Sequence, residues 1–105
     1  MVQVSVLYFA GCPNWEETGR RLRRALDLLG QAGTPVGFVQ VETEAEAAEV
    51  DFHGSPTIIV DGEDLFPGGG VPGAASCRVY SGFSGLAGVP EAADVVAALA
   101  ERIDR

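Results

Sequence analysis

Lysine is absent from the chain: its seven basic residues are all arginine, set against 15 acids for a formal charge of −8. Nucleic acid and anionic membrane surfaces need a basic face, so neither is an expected partner. Histidine occurs once, as His53, without flanking context that would mark a Ser-His-Asp arrangement and with no paired histidine spacing for a zinc site. Cysteine occurs twice, at Cys12 and Cys77, and never as Cys-x-x-Cys. No apolar run approaches the roughly 20 residues of a membrane-spanning helix. No basic stretch precedes an apolar one at Met1-Val2-Gln3-Val4, so a secretory signal is not expected and the chain reads as cytoplasmic.

What is present fits one soluble domain: 105 residues, 47% apolar and 21% charged, enough for a single core. In a reducing compartment, two cysteines read as catalytic, redox-active or simply buried rather than as a permanent staple. Free cysteine is among the most buried residue types, so position has to separate these readings.

Along the chain, Val2 to Phe9 begins with two-residue alternation and ends as a continuous apolar run, the pattern of a strand entering a core. Pro13 suits the first position of a helix, and Trp15, Gly19, Leu22, Leu26 and Leu29 mark one face of a helix running to about Leu29, with Gly30 and Gly33 as stop signals. Glu16 and Glu17 stand four residues before Arg20 and Arg21, and Asp27 four after Arg23, so the arginine run reads as a solvated, ion-paired face. Thr34 to Val41 is a second strand, Glu42 to Asp51 a short helix, and Thr57 to Val60 a third strand. Asp61-Gly62 predicts a tight hairpin returning as Glu63 to Phe66. Residues 67–90, rich in glycine and proline, read as a long loop of the kind that is often functional, and Glu91 to Ile103 as the closing helix. Gly68-Gly69-Gly70 resembles a phosphate loop in composition only, since no lysine follows it.

The order is β-α-β-α-β-β-α. With F-A-G-C-P-N-W after the first strand, G-S-P-T before the third and I-V-D-G-E-D-L-F as the hairpin, the chain resembles the thioredoxin-like fold superfamily over nearly all its length except residues 67–90. By C-P-N-W and S-C-R-V-Y it also resembles small bacterial thioredoxin-like proteins, some of them named after alkylmercury lyase; an organomercurial activity would rest on that naming alone. The resemblance implies an α/β, three-layer fold around a four-stranded mixed sheet. It implies that Cys12 holds the nucleophile's position, that the Ser55-Pro56 bond is cis against that thiol, and that the Ser55 backbone pairs with a bound peptide or thiol. Trp15 stands where the family's second cysteine would be, which removes a local dithiol cycle.

Helix starts favour anions, a thiolate among them, while Glu16 and Glu17 oppose it if they lie close. Arg78 is the cation of interest if its loop folds inward. Trp15 has two readings, a shield over a bound thiol or a core residue on the helix face. If the fourth strand ends near Phe66, the long loop starts beside Cys12, and Cys77 becomes a resolving cysteine. If instead Ser76 to Ser81 forms that strand, Cys77 is structural. The expected function is a thiol–disulfide oxidoreductase acting through Cys12 and Cys77, with Trp15, Ser55 and Pro56 against a protein or low-molecular-weight thiol or disulfide, and no cofactor. Two alternatives stay open: a copper(I) or mercury(II) thiolate site with His53 as a third ligand, and an interaction module with inert cysteines.

Overall fold

The structure, a computed structural model, describes residues 2–9, 11–12, 14–49, 54–67, 80–82 and 85–104. Its elements are β1 (Val4–Tyr8), α1 (Trp15–Leu28), β2 (Val36–Gln40), α2 (Glu44–Glu49), β3 (Thr57–Val60), β4 (Glu63–Asp64), β5 (Tyr80–Gly82), β6 (Gly85–Ala87) and α3 (Ala92–Ile103). The protein is α/β, with a four-stranded mixed sheet in the order β2-β1-β3-β4. β1 runs parallel to β2 and antiparallel to β3, with Val6 opposite both Phe38 and Ile58.

Hydrophobic periodicity explains the layers. In α1 the buried residues Thr18, Gly19, Leu22, Ala25 and Leu26 recur at three- and four-residue spacing, so one stripe of the helix faces the sheet. Val95 and Leu99 do the same for α3. Together they cover Val4, Val6, Ile58 and Val60 in the main core. Leu7 and Val41 form a smaller cluster with Phe9 and Ile59, in which Leu7 lies on the opposite face of β1 from Val6. The run that opens as alternation and closes as V-L-Y therefore buries Val6 on one side and Leu7 on the other.

Gly30, at φ 76°, ends α1 in the left-handed conformation, with the Gln31 N–H reaching back to Leu26 O at 2.7 Å and the Gly30 N–H to Asp27 O at 3.3 Å. These are the two bonds of a Schellman cap. Arg23 completes the connection to β2 by donating to the main-chain carbonyls of Gln31, Ala32 and Thr34 and to the Asp27 carboxylate. At the β3–β4 turn both Asp61 (φ 51°) and Gly62 (φ 84°) have positive φ, as a two-residue hairpin of this hand requires. Asp61 also exchanges two hydrogen bonds with the Gln3 backbone, each 2.8 Å, tying the turn to the chain ahead of β1.

Among the described residues β2 is an edge strand of the sheet. The Val41 N–H donates inward to Tyr8 O, so by alternation the backbone groups of Val36, Phe38 and Gln40 point to the open side. Residues 67–90 are not a loop throughout: β5 and β6 pair within them, Tyr80 opposite Ala87 and Gly82 opposite Gly85. Glycine and serine give that pair little strand propensity, and its first residue is held by tertiary partners described below. The fourth strand is the Glu63 hairpin return, shorter than Glu63 to Phe66, because the Asp64 carboxylate turns the chain by accepting from the Phe66 N–H at 2.9 Å.

Candidate functional site

β1 delivers Phe9 to the upper end of the sheet, and the chain then turns so that the Cys12 N–H donates to Phe9 O at 3.1 Å. This places Cys12 two residues before Asn14, the residue that caps α1. The Asn14 carbonyl accepts from both the N–H and the hydroxyl of Thr18, which locks the first turn. From the other side, Gly54 at φ 100° feeds Ser55 and Pro56, joined by a cis peptide bond, into β3. Because β1 and β3 are antiparallel neighbours, the end of one and the start of the other meet. The Cys12 thiol donates to Ser55 O at 3.5 Å across 43 positions of sequence.

The meeting point is dry. Cys12 is 1% exposed and Ser55 and Thr57 are fully buried, so each polar group there needs a partner. The Ser55 hydroxyl accepts from the Phe9 N–H at 3.3 Å, and the Thr57 hydroxyl donates to Gly54 O at 2.5 Å. The Tyr80 hydroxyl donates to the Pro56 carbonyl, while the Tyr80 ring meets Phe66 edge-on at 5.6 Å. Four consecutive residues, Gly54 to Thr57, are thus bonded to three separate parts of the chain or to one another. The stretch after β6 closes the helix side: a Cβ on Gly88 would collide with the Asn14 amide, and Arg21 donates to Pro90 O at 2.7 Å.

Trp15, one helical turn on, stacks on Tyr8 with ring centroids 4.2 Å apart and meets Phe38 edge-on at 5.6 Å. It lies in a row of three aromatic rings running from β1 toward the β2 edge and packs against the main core. Glu17 is turned along the helix, where hydrogen bonds from Arg21 and then Arg20 hold its carboxyl below the usual carboxylate range. The arginine run is accordingly ion-paired at Arg20, Arg21 and Arg23.

Of the residues singled out from sequence, Cys12, Ser55 and Pro56 come together, while Trp15 lies in the aromatic row with Tyr8 and Phe38. Cys77, Arg78 and His53 lie outside the described residues. Among the described residues no group of three or more His, Cys, Asp or Glu side chains could hold a metal ion, and no helix is long and apolar enough to cross a membrane. Sequence reasoning missed Phe9, Thr57 and Tyr80. Tyr80 had one visible signal, an aromatic hydroxyl in a stretch otherwise built of small residues. No family model, no curated protein and no solved structure matches the chain.

Proposed function

We propose that this is a thioredoxin-like thiol–disulfide oxidoreductase in which Cys12 is the attacking sulfur and Cys77 the resolving one. The observation that carries the reading is the Cys12 thiol held 3.5 Å from the carbonyl of Ser55, the residue of the cis Ser55-Pro56 bond, just ahead of α1. The strand order β2-β1-β3-β4, with one helix pair against one face, agrees with it. So does the anchoring at Pro56 of Tyr80, three residues after Cys77.

The chemistry balances without a cofactor. Cys12 gives up its proton and its sulfur attacks one sulfur of a substrate disulfide, forming a mixed disulfide and releasing one substrate thiolate, which takes a proton. Cys77, deprotonated in turn, attacks the Cys12 sulfur and expels the second substrate thiolate. Two electrons leave the protein and two substrate thiols are formed. An external thiol reductant returns the Cys12–Cys77 disulfide to the dithiol.

A second reading has its own observation. A sulfur that is 1% exposed, with its proton already donated to a carbonyl, is also what an inert cysteine in an interaction module looks like. Mild oxidation, alkylation of the remaining free thiols and peptide mapping separate the two. The oxidoreductase reading expects a monomer carrying a Cys12–Cys77 disulfide. Two thiols trapped free would overturn it in favour of the inert module, and a small-thiol adduct on Cys12 alone would overturn the role of Cys77.

A further inference from the structure

We propose that Tyr80 is a positioning residue for the Cys12 thiol, acting through two adjacent carbonyls, those of Pro56 and Ser55. The Tyr80 hydroxyl is buried and donates to Pro56 O, on a residue that is itself fully buried. The preceding carbonyl, Ser55 O, accepts the Cys12 thiol. A phenol from β5 and a thiol from the loop after β1 therefore hold successive peptide units of one short turn, and a rotation of that turn moves both.

The turn has little other freedom. Gly54 O is taken by the Thr57 hydroxyl and the Ser55 hydroxyl by the Phe9 N–H. Removing the Tyr80 hydroxyl leaves a buried carbonyl one donor short, a state relieved when the group moves toward water. As the Pro56 carbonyl moves, the Ser55 carbonyl moves with it, and the thiol loses its acceptor. Tyr80 thus holds the Cys12 thiol on its acceptor and covered, and loosening Tyr80 releases it. This deepens the reading of Cys12 as the reacting sulfur and rests on it for its purpose, but no disulfide has to form for it to be tested.

The experiment uses the full chain with Cys77→Ser, so that one thiol gives the signal, and compares Tyr80 with Tyr80→Phe, which keeps the ring against Phe66. The infrared S–H stretch of Cys12 should move toward the position of a thiol without an acceptor. Alkylation of Cys12 under native conditions should rise roughly fivefold, the factor that corresponds to about 1 kcal/mol for one net hydrogen bond. A loss of stability with the S–H band and alkylation rate unchanged would show that Tyr80 only anchors β5, and would overturn the proposal. Should Tyr80→Phe not fold, 3-fluorotyrosine in a Tyr8→Phe background strengthens the hydroxyl as a donor and leaves the ring in place. The S–H band must then move, and an unmoved band overturns the proposal equally. Two thiols trapped free after mild oxidation would overturn the redox reading and leave this result standing.

Discussion

Gly19 lies inside α1 directly beneath Phe38, and replacing it by alanine sets two effects of opposite sign against each other. A Cβ there would stand 2.6 Å from Phe38 Cζ and 2.7 Å from Cε1, whereas carbon atoms need about 3.5–4.0 Å. The ring has to retreat by roughly 1 Å. Phe38 is 47% exposed, so it swings into solvent rather than straining the helix. In doing so it loses the edge-on contact with Trp15, worth about 0.5–1.5 kcal/mol, and part of its apolar burial. Alanine in place of glycine in a helix interior gains about 1 kcal/mol. Gly19→Ala alone should therefore range from neutral to about 1 kcal/mol destabilising. In a Phe38→Ala background only the helix propensity remains, and the same substitution should stabilise by about 1 kcal/mol. Urea unfolding of the four proteins, followed by the fluorescence of Trp15, the single tryptophan, gives the coupling from the midpoints at a common slope. Equal stabilisation in both backgrounds would refute the seating of Phe38 on Gly19.

Arg23→Met keeps the apolar stem and removes the donors to three main-chain carbonyls of the α1–β2 connection. It should cost about 2 kcal/mol in urea unfolding, and a loss below about 0.5 would mean that water replaces the guanidinium fully. Glu17 titrates lower in the folded chain than in the unfolded one, held by Arg21 and then Arg20. Its contribution is therefore complete above the unfolded value of about 4.3 and is lost as pH falls through the folded one. Glu17→Gln should flatten the acid limb of the stability–pH profile and leave the neutral region parallel; an unchanged acid limb would refute the pairing.

Much of the framework was legible because its causes are local. The alternation and apolar run of β1, the three- and four-residue stripe of α1, the β-branched T-I-I-V of β3 and the positive-φ pair Asp61-Gly62 each encode their own geometry. The ion pairs of the arginine run follow from helical spacing in the same way. What Arg21 and Arg23 do with their remaining donors did not, since Pro90 O and Thr34 O are brought to them by the path of the chain. A strand at Ser76 to Ser81 is one of two readings, and neither anticipates the contacts that Tyr80 makes with Phe66 and Pro56, which are distant in sequence. At the site, helix-start logic marked Cys12, and the resemblance to thioredoxin-like proteins implied a cis Ser55-Pro56 bond against its thiol, where the structure has it. That Tyr80 grips the next carbonyl was not implied, because it depends on where the chain brings β5.

The open side of β2 bears on how this protein behaves as a colloid. Val36–Gln40 carries no charge and no proline, two of the side-chain guards by which sheet edges are kept from one another, and Phe38 and Val39 stand half exposed on it. What separates two molecules at that edge is the repulsion between bodies of charge −8, a force that reaches about 8 Å at physiological ionic strength and less as salt is added. The lifetime of concentrated solutions should therefore shorten with added salt, and with falling pH as the carboxylates take up protons, under conditions where far-ultraviolet circular dichroism still shows an intact fold.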